Sequence, residues 1–171
     1  MATWPASLGL VAKRSKKRSA QPEEPFTFFI DRCLGRHDVP HAVRSALLEG
    51  ESVEIHDEHF HKNAEDGEWL TVVGEKRWII LSQDRAIERE PLWRDALMKS
   101  QAVFFGVGSG HASGADVGRM LVSALPRVRT ATRRFLPAMI ASVTHSGVSV
   151  RWSSSERRER PYRYGIAKRD T

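Results

Sequence analysis

Phe26-Thr27-Phe28-Phe29-Ile30-Asp31 is the stretch on which the reading of the fold turns. Aromatic and β-branched residues follow one another without a charge, which fits a short strand buried on both faces, and the run ends abruptly in an acid. The same form recurs downstream. Ser52-Val53-Glu54-Ile55-His56 reads as a second strand followed by Asp57 and Glu58, and Arg77-Trp78-Ile79-Ile80-Leu81-Ser82 as a third ending near Asp84. Ala102 to Val107 is a fourth, and Met139–Val143 with Val148–Trp152 supply one or two more, joined near Ser146-Gly147.

Helical patterns fill the gaps. From Pro40, which suits a first turn, a helix through Leu48 turns Val39, Val43, Ala46 and Leu47 inward, and Gly50 stops it. His59 to Ala64 reads as loop. Glu65 and Asp66 then open a helix running to about Lys76 with Trp69, Leu70 and Val73 on one face, the acids of its first turn suiting the helix dipole. Residues 89–100 carry Leu92, Trp93, Ala96 and Leu97 at helical spacing. Ser113 caps a helix over about 114–124, which Pro126 is expected to break or kink before a basic segment reaching Phe135. Strands alternating with helices imply right-handed crossovers, hence an α/β fold with a mostly parallel sheet covered on both faces.

The chain's charge sits outside this frame. Of a net +6, residues 1–24 carry +3 and residues 151–171 carry +4, leaving −1 for the middle. Three regions follow: a basic tail over 1–24, expected to be disordered; a domain over 25–152; and a second basic tail over 153–171, in which Tyr162, Tyr164 and Ile166 alternate. Such tails suit a polyanion, because bound Lys and Arg release condensed counterions, or serve as solvated ends that keep a protein soluble. No run of about 18 apolar residues exists to span a membrane, and the basic N-terminus is not followed by the apolar stretch of a secretory signal. The single cysteine, Cys33, has no partner for an internal disulfide and agrees with a reducing cytoplasm.

In open α/β sheets ligands bind beyond the carboxyl ends of the strands. Here three strand ends are acidic, at Asp31, at Asp57-Glu58 and at Asp84, and Asp66 and Glu68 open the helix leading into the third strand at the same edge. Carboxylates brought together without counter-charge repel, and a hard dication relieves that repulsion. Acids at strand ends are also common loop and cap residues, and Asp66 alone is explained by the helix dipole; the coincidence of several on one edge is what points to metal.

Phe28-Phe29-Ile30-Asp31-Arg32-Cys33-Leu34-Gly35, Ile55-His56-Asp57-Glu58-His59-Phe60, Glu65-Asp66-Gly67-Glu68-Trp69-Leu70 and Trp78-Ile79-Ile80-Leu81-Ser82-Gln83-Asp84-Arg85, in that order, resemble the PIN-like domains that include VapC-type toxins, over about residues 26–125. The resemblance implies a three-layer α/β/α fold and a Mg2+- or Mn2+-dependent ribonuclease acting on RNA. Asp31, Asp66 and Asp84 match the acids ending the first strand, opening the helix and closing the strand–Ser/Thr–x–Asp motif of that pattern. They are the implied catalytic and metal-binding residues, with Asp57, Glu58 or Glu68 left open as the fourth acid and one or two ions as the metal count. The toxin reading further implies a cognate antitoxin and a homodimer. Arg32 and Arg85, beside two of the acids, are candidate phosphate contacts or charge compensation for their neighbours. The competing class is a PIN-like module that binds nucleic acid or protein without cleaving. A receiver-like protein is disfavoured because the fourth strand ends in Gly and Ser rather than Lys.

Other features have mainly structural readings. His56, His59 and His61 with Asp57 and Glu58 suggest zinc, but His56 on a strand should face away from Asp57 and loop histidines are usually solvated. Cys33 is expected as a small buried residue rather than a nucleophile. Gly106-Val107-Gly108-Ser109-Gly110 lacks the Gly-Lys-Ser/Thr ending of a P-loop and is read as a turn, with a secondary phosphate contact as its other reading. Arg127, Arg129, Arg133 and Arg134 are read as a stripe that lines an RNA path, binds an acidic partner or is simply solvated. Trp69, Trp78 and Trp93 are expected in the core rather than as stacking platforms.

Overall fold

The computed structural model describes residues 24–35, 37–84, 86–108, 110, 112–135, 137–154 and 163–164. The expected tails over 1–24 and 153–171, apart from the residues just named, and Arg85 therefore lie outside the described residues. The elements in chain order are β1 (Thr27–Ile30), α1 (Asp38–Ser45), β2 (Ser52–Ile55), α2 (His56–His59), α3 (Asp66–Glu75), β3 (Ile79–Ser82), α4 (Ala86–Arg89), α5 (Pro91–Lys99), β4 (Val103–Val107), α6 (Gly114–Arg134), β5 (Met139–Thr144), β6 (Gly147–Ser153) and β7 (Arg163–Tyr164). They form one sheet in the order β2-β1-β3-β4-β5-β6-β7. The first five strands of that order are parallel, and β6 and β7 add antiparallel.

Strand β1 lies inside the sheet, between β2 and β3, and its side chains have apolar neighbours on both faces. Phe28 and Ile30 point to one face, joining Val39 and Val43 of α1 and Leu121, Leu125 and Val128 of α6. Phe29 points to the other, with Trp69, Leu70 and Val73 of α3 and Leu97 of α5. Period-two alternation along an all-apolar strand thus splits the interior into two cores and makes three layers. Phe29 stacks on Trp69 with ring centroids 5.5 Å apart. Trp69 is buried as expected, whereas Trp78 and Trp93 are half-buried at the border of the same core. On the opposite face α1 and α6 approach closely because position 118 is glycine: a Cβ there would lie 2.8 Å from the Ala42 Cβ.

Three expectations need correction. Helix α6 runs unbroken through Pro126. An interior proline costs about 3 kcal/mol, but Leu121 and Leu125 before it and Val128 and Ala131 after it enter one core, and their burial offsets the loss. The arginines of α6 do not form a stripe. Residues two apart on a helix point to nearly opposite sides. Accordingly Arg129 is buried against Glu51, whereas Arg127 lines a cleft elsewhere and Arg133 lies over the Phe26 ring at 4.9 Å. The segment His56–His59 is a helical turn rather than a strand end followed by loop. The C-terminal segment also returns to the sheet, with Tyr164 opposite Val148. Among the described residues no helix is long and apolar enough to cross a membrane.

Candidate active site

Asp31 follows directly on β1 and is held in line with the ladder by its own N–H, which donates to the Leu81 carbonyl at 3.0 Å. It is only 5% exposed, so its carboxylate needs partners. They come from the neighbouring strand end. The Ser82 hydroxyl, fully buried at the end of β3, donates to Asp31 Oδ2 at 2.6 Å. The Ser82 oxygen in turn accepts the Asp84 N–H at 3.0 Å. One hydroxyl therefore ties the acid after β1 to the loop that carries the acid after β3.

Each of the three principal acids is fixed by one oxygen. Asp31 uses Oδ2. Asp84 accepts the Ala86 N–H on Oδ1 at 2.8 Å, at the start of α4. Asp66, the first residue of α3, accepts the Trp69 indole N–H on Oδ1 at 3.0 Å, so the helix start is pinned to the aromatic core. Among the described residues no hydrogen bond reaches Asp31 Oδ1, Asp66 Oδ2 or Asp84 Oδ2. Because α3 runs antiparallel to the strands it connects, its N-terminus lies at the rim where β1 and β3 end. The arrangement gives three oriented carboxylates on one rim, each with an oxygen uncommitted. They are not gathered into a ready cage. Among the described residues the group whose ligand atoms all lie within 4.8 Å of one another is Glu54, Glu58 and His59.

Of the His/carboxylate grouping suggested by the sequence, Glu58 and His59 come together, Glu54 joins them unforeseen, and the other histidines turn elsewhere. His59 Nε2 lies 2.6 Å from Glu54 Oε2, and Glu58 joins them on the exposed side of edge strand β2. His56 is fully buried, its ring 5.4 Å from Phe60 and 5.7 Å from Trp69. Because His56 opens a helical turn, it meets Asp57 after all, Nδ1 to Oδ1 at 3.3 Å. His61 instead accepts the Asn63 N–H. The three histidines thus turn to three environments. Glu58 belongs with Glu54 and His59, while Asp57 stays half-buried beside His56.

Cys33 departs from its expected burial. The residue as a whole is exposed, but its Sγ donates to Asp31 Oδ2 at 3.0 Å and accepts the Gln83 N–H at 3.1 Å. Desolvation of the thiol, reinforced by the Asp31 charge, pushes its pKa up to about 12. The thiol stays protonated at neutral pH and serves as a donor to Asp31, not as a nucleophile. Iodoacetamide at pH 8 is expected to alkylate native Cys33 about a thousandfold more slowly than the urea-unfolded chain, as the thiolate fraction dictates. Equal rates in the two states would show that the thiol is not so held.

Arg32 extends to the Lys62 carbonyl. In the glycine loop, Gly108 N–H is used by the Val143 carbonyl at 2.8 Å, and Gly110 adopts φ +61, so the loop's described backbone makes a turn. Sequence reasoning missed Ser82 as a site residue, although the Ser82-Gln83-Asp84 motif contains it, because its acceptor lies 51 positions away.

Comparison with known proteins adds one finding. Residues 26–109, which run from β1 through β4 and carry Asp31, Asp66, Ser82 and Asp84, match the family model described as a PIN-like domain. No curated protein and no solved structure matches the chain.

Proposed function

We propose, with the similarity of residues 26–109 to PIN-like domains as premise, that this chain is a divalent-metal-dependent endoribonuclease whose centre is Asp31, Asp66 and Asp84. PIN-like domains are commonly nucleases that use a divalent metal. The observation that carries the reading here is the Asp31–Ser82–Asp84 link, which orients two strand-end acids from one buried hydroxyl and leaves an oxygen on each. Hard oxygen donors of this kind suit Mg2+ or Mn2+, and Mg2+ keeps several waters, so carboxylates too far apart to share one inner shell can act through them.

A bound ion supplies a Lewis acid and a water of lowered pKa. The protein's own groups do the rest. Asp31 Oδ1 and Asp84 Oδ2 would hold the ion at the rim, with Asp57 as a further acid, since Glu58 groups instead with Glu54 and His59. Asp66 Oδ2 accepts a hydrogen bond from the attacking water and orients it. On this path the water's oxygen would bond to phosphorus as the bond to the leaving oxygen breaks, its proton passing to Asp66 and the leaving oxygen taking one from solvent. Arg32, whose guanidinium also donates to the Lys62 carbonyl, and Arg85, which lies outside the described residues, are proposed as phosphate contacts.

Incubating the protein with single-stranded RNA and Mn2+ or Mg2+, with and without EDTA, tests this: cleavage is expected only with metal. Ser82→Ala is expected to weaken the Mn2+ concentration dependence of cleavage by about 10–100-fold, since it removes the group orienting both acids. An unchanged Mn2+ titration would remove Ser82 from the centre. The toxin role, with its antitoxin and homodimer, belongs to this proposal too; growth arrest on expression, relieved by a co-expressed neighbouring gene, is its test. A second reading, a PIN-like module that binds RNA without cutting it, is favoured by the spread of the three carboxylates, which form no close group. It predicts RNA binding that neither EDTA nor Asp31→Asn alters.

A further inference from the structure

Away from the acids, on the α1/α6 face of the sheet, a cleft of about 300 Å³ opens between α6 and the turn joining β5 to β6. Its α6 wall carries Asp116, Arg119, Ser123 and Arg127, spaced three or four apart and therefore on one stripe. Thr144 and His145 line the other wall. The charges do not balance. Asp116 is the single carboxylate of the lining, and it is already satisfied: it accepts from Ser113 at 2.6 Å and pairs with Arg119. The Ser113 hydrogen bond, then the Arg119 charge, hold its pKa below the ordinary range, so it stays ionised and neutralises Arg119 rather than Arg127. Arg127, half-buried, has no hydrogen-bond or ion-pair partner among the described residues. A guanidinium carries five donors and stays charged, so an Arg lining a cleft with none of them bound to protein leaves them available to an anion. It shares the cleft with Thr144 and His145, which mark the cleft's end at the carboxyl edge of β5.

That end is the catalytic rim. β5 is parallel to β1, β3 and β4, so Thr144 lies at the same edge as Asp31, three strand spacings away, about 14 Å. We infer that Arg127, with Thr144 and His145 as further donors, binds a backbone phosphate of the same RNA strand that is cut at Asp31, a few nucleotides from the scissile bond. The inference rests on the nuclease reading for the strand's path, and its test is separable from it.

The probe is a fluorescein-labelled single-stranded RNA of about 12 nucleotides, titrated in EDTA so that binding is read without cleavage. Arg127→Ala is expected to raise Kd roughly tenfold, as for a charged hydrogen bond. It should also flatten the slope of log K against log salt by about 0.7, the value for one phosphate contact on a single strand. Arg94→Ala on α5, an exposed arginine on the opposite face, is the charge-matched comparison and should leave both nearly unchanged. Arg127→Lys should recover part of the affinity. Unchanged Kd and slope in Arg127→Ala, an equal loss in Arg94→Ala, or no measurable RNA binding by the wild-type chain overturns the site. If wild-type protein with Mn2+ fails to cleave while the Arg127 effect stands, the nuclease reading fails and the phosphate site survives as that of an RNA-binding module.

Discussion

Asp31→Asn is expected to abolish metal-dependent RNA cleavage, by about a thousandfold or more, while leaving the fold and RNA affinity near wild type. The magnitude follows from what an ion contributes. Lewis-acid stabilisation of a phosphoryl transition state is worth several kcal/mol, and each 1.4 kcal/mol is a factor of ten in rate. Asparagine keeps an oxygen able to accept the Ser82 and Cys33 donors that now reach Oδ2, so the strand end stays packed. What it removes is the negative charge. Asp84→Asn should behave in the same way, since its Oδ1 can still accept the Ala86 N–H. Thermal melting beside single-turnover cleavage separates the causes: lost cleavage at an unchanged melting point supports the metal site. Retained cleavage in Asp31→Asn would end the nuclease proposal as stated.

The second large effect is on stability. Arg129→Met is expected to destabilise the protein by about 3–5 kcal/mol, because it strands Glu51 in a site that solvent barely enters. The Glu51 side chain is 3% exposed and the Arg129 side chain 7%. Arg129 grips it by Nε to Oε1 at 2.8 Å and by a terminal nitrogen to Oε2 at 2.6 Å, and also donates to the Ala46 carbonyl. The bridge joins the loop after α1 to the far half of α6. For a chain of this size the loss translates into a drop of roughly 10 °C in melting temperature. The double variant Glu51→Leu with Arg129→Met should recover most of it, since an apolar pair leaves no buried charge unmet.

Acid should act through the same pair. Burial alone would raise the Glu51 pKa, but the Arg129 hydrogen bonds, the Leu48 N–H and the Arg129 charge outweigh it and hold the group below its ordinary range. A carboxyl whose pKa is lower folded than unfolded contributes stability that is fully present above the unfolded value, about 4.3, and is lost as pH falls through the folded one. Melting temperature measured from pH 7 downward should therefore fall less steeply below pH 4.5 in Glu51→Gln than in wild type. Parallel curves would show that Glu51 carries no linkage.

The sheet was legible because its strands are short unbroken apolar runs. Phe28-Phe29-Ile30 and Ile79-Ile80-Leu81 can satisfy all their side chains only between two layers, and their order with the intervening helices leaves few topologies. The acids at the rim were legible for the same reason, as the first charges after such runs. Pro126 misled because its missing N–H is a local fact, whereas the core that keeps α6 continuous is assembled from the whole domain. Glu51 and Arg129 lie 78 positions apart, and nothing near either one names the other. His56–His59 reads as a strand end running into loop, and only its packing on Phe29, Phe60 and Trp69 reveals a helical turn with one ring inside. The arginine stripe was a misreading the sequence itself could have corrected, since positions 127 and 129 cannot share a helix face.

The division of β1 between two interiors has an outcome beyond packing. A one-residue slip in that strand would send Phe29 where Phe28 belongs and carry Asp31 away from the Ser82 hydroxyl in the same movement. Chains caught in a wrong pairing would therefore lack the Asp31–Ser82–Asp84 link, so on the proposed nuclease reading the rim is assembled only when folding is correct.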